Sequence, residues 1–300
     1  MKKVISTTLT SVMAVIILVA FTNCESKAQE KEFEINNFTT DLEVVWDIVW
    51  GPDSYLWVSE RPGRVQRINP DDGSKELVLD ITGEVQTGGE RGLMGMALSP
   101  NFNEDKHIFI SYTYNSGGTK VKIMRYTYDG GKLIDPMIII DNILGAGNHD
   151  GCSLEFADDG KLYITTGDAA NINTSQDLTS INGKVLRLNP DGTIPEDNPY
   201  YGRSTARNEI WTYGHRNAQG LVFHDGKMYS TEHGASTNDE LNLIEEDRNY
   251  GWPDIEGFCD EASEKEFCSA NNVKEPSNCR VTRQSKNNRK VPRKGLYCKI

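Results

Sequence analysis

The segment Gly145-Ala-Gly-Asn-His-Asp-Gly-Cys152 sets a histidine in a run of glycines. Glycine admits backbone angles closed to other residues, so His149 can be held at a loop tip, where an imidazole accepts a proton near neutral pH. Asp168 ends the stretch Ile164-Thr-Thr-Gly-Asp168. A carboxylate returning to that imidazole would fix its tautomer and stabilise the protonated ring. A surface histidine and a turn-forming aspartate account for the same two residues equally simply. In a second loop, Tyr213-Gly-His-Arg-Asn-Ala-Gln-Gly220, Arg216 offers planar paired donors for a carboxylate and Asn217 is donor and acceptor at once. This suits an acidic cofactor, or alternatively an arginine stacked between sheets. The third loop, Glu232-His-Gly-Ala-Ser-Thr-Asn-Asp-Glu-Leu-Asn242, combines the carbonyls of Gly234 and Ala235 with the acids Asp239 and Glu240. Oxygen-rich loops of this kind suit calcium, although the spacing matches no EF-hand and solvated turn acids explain it too.

These loops need a frame, and the frame reads as all-β. The chain shows almost no helical periodicity and instead repeats a turn, a short apolar strand and a turn. Four copies stand out: Asp53-Ser-Tyr-Leu-Trp-Val-Ser59, Asp105-Lys-His-Ile-Phe-Ile-Ser111, Gly160-Lys-Leu-Tyr-Ile-Thr-Thr166 and Gly226-Lys-Met-Tyr-Ser-Thr231. With Leu56, Ile108, Leu162 and Met228 as equivalent positions, the separations are 52, 54 and 66 residues. That period suits propeller blades with loop insertions. Gly63-Arg-Val-Gln-Arg-Ile-Asn-Pro-Asp-Asp-Gly73 and Gly183-Lys-Val-Leu-Arg-Leu-Asn-Pro-Asp-Gly192 each read as an outer strand entering a tight turn. A blade cannot bury its faces alone, so neighbours must stack around an axis and leave their loops at one end to build a site.

Composition narrows the partners. The net charge of −12 argues against nucleic acid, whose phosphates call for clustered Lys and Arg, and leaves a neutral or cationic ligand or a metal ion. Lys2, Lys3 and the apolar run from Val12 to Phe21 read as an export signal within residues 1–28. Ser26-Lys27-Ala28 resembles a small-x-small cleavage site, and Phe21-Thr22-Asn23-Cys24 a loose lipoprotein box that would anchor the chain through a lipidated Cys24. Either route leads out of the cytoplasm, to the periplasm or a membrane surface facing it. Cysteines can pair there, and Cys259 and Cys268 are close enough to bridge across a short loop or to remain free thiols. Residues 33–276 form the expected propeller region. From residue 277 to 300 the chain carries eight basic residues and no acid, so residues 1–276 carry −20. This tail lacks blade spacing and reads either as a basic arm for an acidic partner or as a shifted reading frame.

Gly89-Glu-Arg-Gly-Leu-Met-Gly-Met-Ala-Leu-Ser-Pro-Asn-Phe102, Asn148-His149, Gly160 to Asp168, Gly214-His-Arg-Asn217, Asp239-Glu-Leu-Asn-Leu-Ile244 and Asn249-Tyr-Gly-Trp-Pro253 occur in this order. Together, over about residues 40–276, they resemble the soluble quinoprotein glucose dehydrogenases and related aldose sugar dehydrogenases. Those proteins are six-bladed propellers using pyrroloquinoline quinone (PQQ) and calcium. The resemblance implies about four blades here and oxidation of an aldose to a lactone, with electrons passing on to an external acceptor. It implies that His149 is the base, Asp168 its orienting acid and Arg216 a stabiliser of the reduced cofactor. Glu90, Asn148, Arg216 and Asn217 would contact the quinone. Gly234 and Ala235 would bind calcium through main-chain oxygens, and Asp239, Glu240 and Tyr250 would hold a second, structural calcium. Glu90 stands where the glucose dehydrogenases place Gln, which opens the choice of sugar, and Ala235 where they usually place Pro. The family's remaining quinone-binding Lys and Arg fall in later blades than the four counted here. The competing classes are a non-enzymatic extracellular interaction module and a calcium-dependent propeller lactonase.

Overall fold

A computed structural model describes residues 37–277. The chain divides into two compact units, Met1–Phe38 and Thr39–Ile300, and every sheet and helix named lies in the second. The expected export signal, Cys24 and the basic tail beyond Ser277 lie outside the described residues.

Four antiparallel sheets follow one another along the chain. The first holds β1 (Val45–Trp50), β2 (Leu56–Glu60), β3 (Arg64–Ile68) and β4 (Lys75–Asp80). The second holds β5 (Leu93–Leu98), β6 (His107–Asn115), β7 (Thr119–Tyr128) and β8 (Leu133–Leu144). The third holds β9 (Leu154–Phe156), β10 (Leu162–Thr166), β11 (Lys184–Leu188) and β12 (Ile210–Tyr213). The fourth holds β13 (Ala218–His224), β14 (Lys227–Glu232) and β15 (Glu240–Ile244). In each sheet the strands pair in sequence order, and β1, β5, β9 and β13 neighbour one another from sheet to sheet. This is the arrangement of four propeller blades. Leu56, Ile108, Leu162 and Met228 fall on β2, β6, β10 and β14, the second strand of each blade, as their spacing predicts.

The stretches from Gly63 and Gly183 are third strands rather than outer ones, because β4 and β12 pair outside them. Their turns are as expected: Gly73 N–H donates to Asn69 O at 2.9 Å and Gly192 N–H to Asn189 O at 2.9 Å, each glycine with positive φ. No repeat unit marked the outer strands, whose residues differ from blade to blade.

Burial explains why alternation is weak in the middle of the molecule. Strands β10 and β11 are buried at every position, since the third sheet is covered on both faces. Trp57 and Val65 pack with Leu93, Ile108 and Ile110 between the first two sheets. Phe109 and Ile123 pack with Leu162, Ile164 and Leu186 between the next two, and Tyr163 and Val185 with Met228 and Ile244 between the last two. Each fully buried aliphatic or aromatic side chain contributes roughly 1.5–3 kcal/mol. On β1, at one end of the series, Ile48 and Trp50 stay exposed.

Helix α1 (Phe102–Asp105) is a single turn, but α2 (Ala262–Ala270) was not visible in the hydrophobic pattern. It buries no side chain, so it has no apolar stripe to betray it. A reciprocal capping box between Glu261 and Glu264 starts it. Cys259 and Cys268 do form a disulfide, and what it spans is this helix rather than a loop.

Candidate active site

His149 sits in the connection from β8 to β9 with a left-handed φ of 60°. Two close backbone approaches hold that connection. A side chain at Gly167 would put its Cβ 1.9 Å from His149 O, and one at Gly89 would come within 2.1 Å of Gly147 O. Only glycine lets the strand end at Gly167 and the loop before Glu90 close on the histidine.

Asp168 leaves β10 and is fully buried. Its Oδ1 accepts from His149 Nδ1 at 2.8 Å and from Ala170 N–H at 2.8 Å, and its Oδ2 accepts from Trp252 Nε1–H at 2.9 Å. With Nδ1–H donated to a carboxylate, the lone pair of the ring lies on Nε2. Nε2 has no hydrogen-bond partner among the described residues, and the side chain keeps 13% exposure. The pair is therefore oriented at its back and open at its front.

The other predicted groups converge on it from separate blades. Glu90 Oε2 accepts from His149 N–H at 2.8 Å and from Asn217 Nδ2–H at 3.3 Å. Asn217 Oδ1 accepts from Gly151 N–H at 3.2 Å. Arg216 donates through Nη1 to His233 O at 3.2 Å and its guanidinium lies 5.3 Å from the Trp252 ring centre. Its Nε is buried without a partner. A buried donor left unpaired is costly, so this edge of Arg216, beside an aromatic face, fits a planar anionic group such as a quinone carboxylate. Asn148, by contrast, is exposed at the loop tip and joins none of these bonds.

Asp150, Glu232 and Trp252 were not singled out in the sequence. Asp150 is buried beside His149, and its Oδ1 accepts from Ala146 N–H at 2.7 Å while Oδ2 has no partner. Burial first, and Glu90 second, push its pKa up to about 6. Glu232 Oε1 receives the main-chain N–H groups of Arg216 and Asn217, and Oε2 receives His215 Nδ1 at 2.9 Å. Each of the three stands in or next to a motif already noted, but a role that consists of reaching a distant backbone has no local signal.

The expected metal loop is brought together in part. Glu232 and Glu240 pair across β14 and β15, and both line a cavity of about 10 Å³ together with Gly234 and Tyr250. Burial, and then the neighbouring Glu232, raise the pKa of Glu240 well above the carboxylate range. Asn242 donates to Glu240 Oε2 at 3.0 Å while its own Oδ1 is buried without a partner. Two crowded carboxylates on one small cavity supply oxygen donors that fit a hard cation. Asp239 and Ala235 lie outside this cavity: Asp239 Oδ1 accepts from Gly234 N–H at 3.1 Å, and Ala235 N–H meets Glu256 at 3.2 Å. The Tyr250 hydroxyl is committed to Leu243 O at 2.6 Å, so the residue meets the cavity with its ring. Among the described residues no three His, Cys, Asp or Glu side chains converge as a metal group.

The propeller's loops thus gather an oriented histidine, an arginine and a pocket lined by two carboxylates. The sequence profile of the Glucose / Sorbosone dehydrogenase family matches residues 42–281, and the chain belongs to that family. It is 34% identical to quinoprotein glucose dehydrogenase B of Acinetobacter calcoaceticus, covering 79% of this chain and 56% of that protein. It is 33% identical to aldose sugar dehydrogenase YliI of Escherichia coli, covering 71% and 59%. The PQQ-bound form of aldose sugar dehydrogenase from Streptomyces coelicolor superposes with a TM-score of 0.71 at 30% identity, over 83% of this chain and 71% of that one. The chain thus spans a little over half the length of the two curated relatives.

Proposed function

We propose that this chain belongs to an enzyme that oxidises the anomeric hydroxyl of an aldose to a lactone, with PQQ and calcium. The observation that carries the reading is the His149 Nδ1 to Asp168 Oδ1 hydrogen bond of 2.8 Å with Nε2 left open. His149 Nε2 takes the proton of the sugar's anomeric hydroxyl, and Asp168 stabilises the resulting imidazolium without moving. Trp252 and Ala170 keep both Asp168 oxygens in place during that transfer. Glu90 and Asn217 hold the main chain around His149 and line the approach to it. Arg216 holds a carboxylate against its unpaired Nε, and Glu232 keeps the Arg216 and Asn217 backbone from moving away. PQQ, when bound, supplies the two-electron acceptor for the hydride, and calcium supplies Lewis acidity beside it. Gly234 with Glu232 and Glu240 would hold the cation.

The amino-terminal sequence and the Cys259–Cys268 disulfide support export to an oxidising compartment, with an external molecule taking electrons from the enzyme. The test is to add PQQ and calcium to the purified chain and follow sugar-dependent reduction of a dye. Reduction that requires both additions supports the reading. Tight quinone binding without reduction points away from oxidation, and metal-dependent lactone hydrolysis without quinone would replace the reading with a lactonase. Absence of quinone binding would favour an interaction module.

A further inference from the structure

Lys184 opens β11 and is completely buried, yet no acidic side chain touches it. Its ammonium instead donates to three main-chain carbonyls, Thr174 O at 2.8 Å, Ser175 O at 2.9 Å and Asn182 O at 2.8 Å. All three belong to the excursion from Gly167 to Gly183 between β10 and β11. The ammonium is thus the internal fastening of that loop, with each of its three N–H groups used. A neutral side chain could not replace it, because three inward-facing carbonyls would then be left buried without donors.

The loop carries Asp168 at its start and touches the segments that bear Arg216 and Trp252. Thr174 Oγ1 shares its one proton between Asn171 O at 2.8 Å and Asp168 O at 3.2 Å, and Gly183 N–H closes on Gly167 O at 3.0 Å. Ser175 Oγ donates to His215 O at 2.6 Å, one residue before Arg216. Gln176 Nε2 donates to Trp252 O at 2.8 Å, and Trp252 in turn binds Asp168. We propose that Lys184 is a positioning residue, whose buried ammonium, bound by three loop carbonyls, sets where Asp168 stands and so how firmly His149 is held. Burial pulls the pKa of this amine down to about 7, opposed by the more distant Asp177. With all three N–H groups donated, the fastening requires the protonated amine.

The proposal rests on His149 and Asp168 being the reactive pair, but its test reads their geometry without cofactor, sugar or turnover. In the cofactor-free chain labelled with ¹⁵N-histidine, the hydrogen-bonded Nδ1–H proton of His149 is followed by NMR and assigned by its loss in H149Q. The corresponding proton of His215 is the internal reference, because the loop meets only that residue's main chain while its ring is held by Glu232 and Thr212, outside the loop. In K184M the His149 proton is expected to exchange with water at least ten times faster while the His215 proton is unchanged. Equal rates in K184M and wild type would overturn the proposal. So would equal acceleration at both histidines, which would mean a loss of global stability only. If K184M does not fold, T174V decides: it leaves the ammonium and its carbonyls in place but cuts the hydroxyl link to Asp168 O. Faster exchange at His149 alone then supports the proposal, and no change overturns it. A failed dye assay with the expected exchange pattern would remove the enzyme reading and leave the fastening intact.

Discussion

The molecule contains two histidine–carboxylate pairs of nearly the same internal geometry. His149 meets Asp168 at 2.8 Å and His215 meets Glu232 at 2.9 Å, each through Nδ1. They differ in what the second ring nitrogen finds. His215 Nε2 is bonded to Thr212 Oγ1 at 2.9 Å, its ring stacks on Tyr250 at 4.5 Å and its side chain has no exposure. His149 Nε2 has no such partner and its side chain is partly open. The carboxylate is the same orienting device in both places, and access to the far nitrogen separates the proposed base from a strut.

That contrast breaks if the two histidines respond alike to substitution. In H149N, dye reduction should fall by about 10³-fold, the scale of a lost general base, with the urea midpoint almost unchanged. The converse substitution, H215A, leaves Glu232 buried without its partner and should cost about 3 kcal/mol in urea unfolding. An H149N chain that unfolds easily, or an H215A chain of normal stability, would erase the distinction.

Two further variants sharpen it. W252F keeps an aromatic ring but removes the N–H donor to Asp168 Oδ2, an interaction worth about 1.5 kcal/mol. Steady-state kinetics should show kcat down by about tenfold, with little change in stability. Glu155 is a half-buried carboxyl with no histidine, its Oε1 accepting from Phe223 N–H at 3.4 Å. Burial, with a smaller contribution from Asp47, pushes its pKa up to about 7 from 4.5. Because the folded value is the higher one, its contribution is fully present below pH 4.5 and is lost as pH rises through about 7. The melting temperature should therefore decline modestly from pH 5 to 8, and E155Q should flatten that decline.

The blades were legible because their second strands recur with an apolar residue followed by an aromatic one, and the loops because glycine, histidine and arginine cluster there. Strand rank within a blade was less legible: the Gly63 and Gly183 segments look terminal until β4 and β12 pair outside them. Helix α2 escaped because it turns no apolar face inward. Asn148, expected to meet the cofactor, stands exposed beside His149, where its side chain is free for a bound group. Asp239 likewise shares a loop with Glu240, but closes that loop on Gly234 instead of entering the cavity.

Residue type and spacing by themselves determined the all-β architecture, the family and the identity of His149, Asp168 and Arg216 as the residues to watch. Those properties are local: a turn, an alternating strand or a glycine next to a histidine is complete within a few residues. Only the tertiary structure decided which histidine is open and which is sealed. It also placed Trp252 behind Asp168, Glu232 beneath Arg216 and the Lys184 ammonium among three carbonyls. Each of those contacts joins segments that meet only when the chain has folded, where desolvation makes an unmatched charge or donor too costly to keep.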